Sequence, residues 1–308
     1  MTTSTRPEPL SAAVPPPGPA DPAPTGRPRR RRNADIAEAR AIPWVYVVLG
    51  GGLVLLVGPF LWMLLGSFRP DRELKQVPPS WLPQNPTLEN YRTLFTELDF
   101  PTYFFNSAVV ATVITFGNLI FCSMLGYALA KLHFPGKRII FGLVLGTLMV
   151  PGVVTFVPLF VLVSNLGMVN SFPGLILPFL AGPFGVFLMR QFFMSLPDEL
   201  IHAARVDGAG EWRIFWSIML PLCKPALATL GILTFLASWN NFLWPLVVAQ
   251  SEDKYTLPVA LAIYAIGENN SNYGLLMAGS VAIIVPVLIV FLVLQKHFVR
   301  GIAMTGIK

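Results

Sequence analysis

Long stretches of this chain hold no alternation of apolar and polar positions at all; they are apolar throughout and uncharged. Six such runs extend approximately over residues 44–67, 104–130, 139–163, 174–189, 226–249 and 275–294. Crossing a hydrocarbon layer of roughly 30 Å takes about 20 helical residues at about 1.5 Å each, so each run reads as a membrane-spanning helix. The fourth is the weakest, being short and carrying Pro178 and Pro183. The pattern predicts an all-α membrane protein with six transmembrane helices. A different pattern occupies residues 194–225, where charged and apolar positions alternate at helical spacing. Ser195 followed by Pro197, Asp198 and Glu199 reads as a helix start, and Gly208 as its end. Residues 211–220 form a second amphipathic piece, with Trp212, Phe215, Trp216 and Met219 in helical register and Pro221 as its stop.

Composition agrees with a membrane class: 54% of the 308 residues are hydrophobic and 12% charged, with a mean hydropathy of +0.62. Residues 1–42 are the exception, a Pro, Ala and Arg-rich tail with Arg29, Arg30, Arg31 and Arg32 and too few large apolar side chains to fold. The tail is expected to be disordered, and residues 43–308 to form the transmembrane domain. No signal-peptide pattern precedes the first run, which is expected to remain as an anchor. With a cytoplasmic amino terminus, 17 of the 22 Lys and Arg fall on the cytoplasmic side, the bias that orients membrane proteins; both termini are then cytoplasmic. The positive charge is accounted for by this asymmetry and by anionic lipid, not nucleic acid. Cys122 and Cys223 show no metal-ligand spacing, and no disulfide is expected.

Inside the six boundaries there is no Asp, Glu, Lys, Arg or His. Proton relays and ion-coupled carriers mark themselves with such residues, and a membrane hydrolase would need metal ligands or a carboxylate pair. The chain also lacks a GxxxxGK[ST] phosphate loop, so any nucleotide hydrolysis is expected in another polypeptide and no catalytic or metal-binding residue is assigned here. The polar groups that do enter the runs are neutral: Asn106, Thr112, Thr115, Asn118 and Tyr127 in the second, Thr234, Ser238, Trp239, Asn240 and Asn241 in the fifth. Amides and hydroxyls commonly tie membrane helices together. The cluster Ser238, Trp239, Asn240, Asn241 with Trp244 also combines aromatic faces with amide donors and acceptors, which suits an uncharged, hydroxyl-rich ligand, and with Asn118 it forms the candidate pathway lining.

In the 194–225 segment, Leu200, Ala203, Ala204 and Asp207 share one helix face whose small residues admit a close partner. The string PDELIHAARVDGAGEWRIFWSIMLPLCKP resembles the EAA loop of type I ABC importer permeases: Glu-Ala-Ala, three residues, Gly, nine residues, Ile, one residue, Leu-Pro. Ala203, Ala204, Gly208, Ile218, Leu220 and Pro221 match at those spacings, while His202 stands where the pattern has Glu. From Trp44 onward the chain is similar to the second permease of carbohydrate importers, such as the shorter channel subunit of the maltose system. TLENYRTLF, WNNFLWPL and the carboxyl end RGIAMTGIK support the likeness.

The resemblance implies a type I importer permease fold and a sugar or oligosaccharide as cargo. It also implies a coupling helix, with Pro197, Leu200, His202, Ala203, Ala204, Asp207 and Gly208 placed on the ATPase and Ile218, Leu220 and Pro221 completing the loop. The implied partners are a second, different permease subunit, an ATP-binding cassette ATPase dimer that holds ATP and Mg, and an extracytoplasmic sugar-binding protein. No cofactor is expected in this chain. The segment 250–273, with Asn269, Asn270 and Asn272, resembles the one that engages the binding protein, with residues 69–101 sharing that surface, and residues 301–308 resemble the carboxyl end that reaches the ATPase. Competing readings are a permease for glycerol phosphate diesters or peptides, and an ion-coupled secondary carrier.

Overall fold

The computed structural model describes residues 43–78, 80, 82–265 and 271–305, with side chains for 44–78, 80, 82–265 and 271–293. The tail 1–42 therefore lies outside the described residues. The chain divides into two units at Leu56 and Val57. The described part of the first is residues 43–56, the opening of the helix Pro43–Ser67. The second begins within that helix and contains the remaining elements.

Among the described residues four helices are long and apolar enough to span a membrane: Trp44–Ser67, Phe100–Lys131, Phe172–Ser195 and Tyr273–Val293. Two more apolar stretches are bent pairs. Lys137–Met149 and Gly152–Asn165 meet at 105°, and Glu211–Leu222 and Lys224–Trp239 at 80°. The first bend follows from Pro151, which drives Val150 into extended backbone (φ −83°, ψ 119°). At the second, Pro225 lacks the N–H that would carry the ladder across Cys223 to Pro221. Pro221 does not end its helix as expected. A turn of π-helix over Ile214–Met219 precedes it, and the helix runs on to Leu222.

The span expected over 174–189 is longer and broken. It begins at Phe172, passes through a 3-10 turn at Leu177–Phe179, and resumes as Pro183–Ser195. Arg190 thus lies within a span whose uncharged run ends one residue earlier, at Met189. Its guanidinium sits 3.8 Å from the centre of the Phe141 ring and its Nε donates to the Leu129 carbonyl at 3.3 Å, so the charge is held by protein groups at the end of the rod.

The rods Phe100–Lys131 and Pro183–Ser195 touch at backbone distance. A methyl group at Gly126 would stand 2.8 Å from Met189 Cβ and 2.9 Å from the Arg190 nitrogen, so only hydrogen fits there. Segment 250–273 is not the simple loop expected. It contains the helix Leu257–Ala265, which buries Leu257, Ala260, Leu261 and Ala265 against Leu94, Leu98, Tyr103 and Leu275. Nine residues cannot span a membrane, so hydropathy at span length passed over it.

Candidate functional site

The candidate coupling segment runs from the end of one span to the start of another. Helix Pro183–Ser195 finishes at Ser195, whose Oγ donates to the Phe192 carbonyl at 2.7 Å. Ser195 is therefore the last residue of a span and not the cap of the next helix. After the extended residue Leu196 a new helix runs Glu199–Val206, with Asp198 at its cap position. The Asp198 carboxylate makes no cap bond; it pairs with Lys131 Nζ at 2.5 Å. That hydrogen bond and charge hold Asp198 below the usual carboxylate range.

The helix ends as the sequence predicts. Gly208 adopts φ +79°, and the amides of Gly208 and Ala209 donate to the Arg205 and Ala204 carbonyls at 3.0 and 2.9 Å, a Schellman closure. A side chain at 208 would be strained by that backbone, although the space around it is open.

The expected docking face divides in two. Ala204 turns inward with Ile201, joining Ile214, Phe215 and Met219 in a core shared with Tyr127, Leu129, Met189 and Phe193. Fully burying a large apolar side chain of this kind contributes about 1.5–3 kcal/mol, so the segment is fastened to the spans. Leu200, Ala203 and Asp207 remain exposed on the adjoining face, at three- and four-residue spacing, with His202 and Val206 also exposed. Pro197 and Pro221 are exposed, and Ile218 and Leu220 half-buried. The expected aromatic face of the second piece also splits: Phe215 and Met219 are buried, Trp212 and Trp216 exposed.

The candidate pathway residues come together only in part. A cleft of about 570 Å³ lies among Asn118, Phe179, Gly182, Thr234, Ser238 and Asn241, with otherwise apolar walls. Ser238 Oγ is buried beside it and finds no hydrogen-bond partner among the described residues. Trp239 does not border this cleft. It is 2% exposed, packs between Phe104 and Phe235, and donates its indole N–H to the Ile283 carbonyl at 3.0 Å. Trp244 likewise gives its N–H to Gly174 at 3.1 Å and meets Phe156 and Phe179 edge to face. Asn240 is exposed and donates to Leu236 at 2.9 Å, closing the helix Lys224–Trp239. Asn241 accepts from the Trp244 amide at 3.5 Å.

Asn118 borders the cleft yet is fully engaged. Its amide nitrogen donates to the Ile114 and Phe179 carbonyls at 3.1 and 2.7 Å, and its oxygen accepts from the Gly182 amide at 3.1 Å. It pins the broken part of Phe172–Ser195 to a π turn in Phe100–Lys131. Asn106 does the same at another point, donating to the Asp253 and Tyr255 carbonyls at 3.0 and 2.9 Å.

Of the expected binding-protein contacts, Asn269 and Asn270 lie outside the described residues. Asn272 caps the last helix, its oxygen accepting from the Leu275 amide at 2.9 Å. An Asn just before a long apolar run is a cap signature that was available in the sequence. The last helix continues through Thr305, and residues 306–308 lie outside the described residues. Among the described residues no group of three His, Cys, Asp or Glu could hold a metal. The sequence reading missed Lys131, Glu211 and Arg205. A Tyr and a Lys four residues apart at the end of an apolar run, Tyr127 and Lys131, were its nearest signal.

Four to six candidate spans among the described residues, a polar-edged cleft and a short helix anchored on the spans are the features of a membrane protein of the transport class. Residues 122–304 match the family described as "Binding-protein-dependent transport system inner membrane component", and the chain belongs to that family of ABC transporter permeases. It is 45% identical to the arabinooligosaccharides transport system permease protein AraQ of Halalkalibacterium halodurans, over 82% of this chain and 92% of that one. It is 37% identical to the diacetylchitobiose uptake system permease protein NgcG of Streptomyces coelicolor, over 89% of this chain and 88% of that one. A chain in the crystal structure of a bacterial ABC transporter involved in import of the acidic polysaccharide alginate superposes with a TM-score of 0.74 at 27% identity, covering 89% of this chain and 99% of that one.

Proposed function

We propose that this permease carries a neutral oligosaccharide, received from an extracytoplasmic binding protein and driven by a separate ATPase that seats the exposed face of helix Glu199–Val206. The single observation that carries the coupling assignment is the division of that helix. Ile201 and Ala204 hold it to the bundle, while Leu200, Ala203 and Asp207 are left outward on a capped, rigid support. His202 and Gly208 serve the same helix, Gly208 by ending it. Pro197 frames its approach, and Ile218, Leu220 and Pro221 shape the return to the next span. In this reading both termini face the cytoplasm, residues 1–42 form a separate tail there, and ATP with Mg is held by the partner ATPase.

Oligosaccharide as cargo is supported by the relatives named for arabinooligosaccharides and diacetylchitobiose. It is supported also by a cleft whose polar members, Asn118, Thr234, Ser238 and Asn241, are all uncharged. Asn241 borders the cleft, with the unpartnered Ser238 hydroxyl buried just behind its surface; Trp239 and Asn118 support the walls. The cleft is one half of a pathway, completed by a second, different permease.

The test is uptake of radiolabelled arabinotriose into vesicles holding the full complex, with its binding protein outside and ATP inside. Ala203→Arg places a long cation on an exposed position, so the chain inserts and folds while the ATPase loses its seat. Uptake and co-purification of the ATPase are expected to fall at least about tenfold, the scale of losing 1.4 kcal/mol of association. Undiminished uptake would remove the coupling assignment.

A further inference from the structure

Helix Glu199–Val206 is joined to the spans by two non-helical elbows, and each is bridged by an ionic or hydrogen-bonded contact from the same turn of the rod Phe100–Lys131. At the first elbow, Lys131 Nζ donates to the Leu196 carbonyl at 2.6 Å and pairs with Asp198 at 2.5 Å, with only 6% of the Lys131 side chain exposed. At the second, the segment Gly208–Gly210 is spanned by Arg205, whose Nε and Nη2 lie 2.8 and 2.7 Å from Glu211 Oε1. Tyr127 donates its hydroxyl to the other oxygen of Glu211 at 3.0 Å. Tyr127 is itself 4% exposed and wedged against Phe193 and Phe215. Tyr127 and Lys131 are one helical turn apart on one face of the rod, so a single surface reaches both elbows.

A short elbow that leaves helical backbone is where a displaced helix would swivel, because no continuous hydrogen-bond ladder runs through it. We propose that Lys131 and Glu211 are positioning residues that lock these two elbows, so that movement of the helix Glu199–Val206 is delivered to the rod Phe100–Lys131 instead of being absorbed in the joints. This rests on the coupling role proposed above. The bonds are charge-assisted, and that of Lys131 to Leu196 holds backbone as well, which makes them directional struts and not merely attractions. The rod they grip also carries Asn118 at the cleft, so the locked unit runs from the exposed face to the candidate pathway.

The experiment measures sugar taken up per ATP hydrolysed by the complete reconstituted complex, using arabinotriose and, where that is not carried, diacetylchitobiose. Lys131→Met keeps the apolar stem and leaves Asp198 in solvent, where 67% of its side chain already is, so the fold is retained. Uptake per ATP is expected to fall about fivefold or more, the lower end of ordinary coupling energies, while ATP hydrolysis continues. Lys131→Arg, which keeps a cation in reach of Asp198 and Leu196, is expected to restore most of the ratio. Glu211→Gln is expected to lower it in the same way by releasing Arg205, and provides an independent variant should Lys131→Met fail to insert. Faster amide exchange across residues 196–210 should accompany each loss. A ratio unchanged in both Lys131→Met and Glu211→Gln, in a complex that Ala203→Arg inactivates, overturns the lock alone. A wild-type complex without ATP-driven uptake, or one indifferent to Ala203→Arg, overturns the lock together with the coupling role beneath it.

Discussion

Among the breaks between the helices of this protein, the one at residues 240–242 between Trp239 and Leu243 and the one at residues 207–210 beyond Val206 direct their polar groups oppositely. Around the first, the indoles of Trp239 and Trp244 and the amide of Asn240 all turn to backbone carbonyls of the protein itself. Around the second, His202 and Asp207 are left outward while Arg205 and Glu211 tie the two sides together. Within apolar rods there is little water to satisfy a donor, so a polar side chain is first a structural fastening. At a wet surface the same chemistry is already satisfied, and a residue there is available for a partner. What decides a residue's role is therefore its depth and whether its bonding capacity is already used, more than its type.

The comparison breaks most visibly at Asn118. Asn118→Leu strands the Phe179 carbonyl and the Gly182 amide in the interior, and is expected to destabilise the bundle by about 2–5 kcal/mol. Unfolding in mixed detergent micelles measures it, and a loss below about 0.5 kcal/mol would show that the broken span is held by something else. Trp239→Phe keeps the ring contacts and removes one hydrogen bond to Ile283. The expected cost is about 0.6–1.7 kcal/mol by the same measurement, with sugar affinity unchanged; a specific loss of sugar transport would return Trp239 to the pathway. Ser238→Ala sharpens the contrast, because its hydroxyl has no partner to lose among the described residues. Stability should move by less than about 0.5 kcal/mol while uptake falls, and an unaffected uptake would leave the cleft without its polar contact.

The helix Glu199–Val206 could be read from sequence because its determinants are local. Gly208 ends it by a conformation glycine supplies, and the spacing of Leu200, Ala203 and Asp207 fixes one face within two turns. Its start was misplaced at Ser195 because a serine before Pro197 satisfies the cap pattern equally well, while the preceding helix continues past Arg190 on contacts to Leu129 and Phe141. The roles of Trp239 and Trp244 were not legible, since their partners lie 44 and 70 residues away and nothing nearby in the chain names them. Ala204 turned inward for a similar reason: helical spacing groups it with Ala203, and only the core containing Phe193, Ile214 and Met219 decides which of the two faces out. The short helix Leu257–Ala265 failed on length, not on pattern.

The gentlest test concerns the exposed end of the Lys131 strut. Its hydrogen bond, and then its charge, lower the Asp198 pKa from the ordinary 3.8, with His202 and His133 adding in the same direction. A carboxylate that releases its proton more readily folded than unfolded contributes stability in full above its ordinary value, and loses it as pH falls through the lower folded value. Wild type should therefore exceed Asp198→Asn in stability at neutral pH by a small margin, since the carboxylate is largely in solvent, and that margin should close only in strong acid. Infrared titration of the Asp198 carboxylate, assigned by difference against Asp198→Asn, gives the direct reading: in Lys131→Met its midpoint should rise toward the ordinary value. A midpoint indifferent to Lys131 would mean that the pair does not hold in the membrane-embedded protein, and the first elbow would be free to swivel like any surface turn.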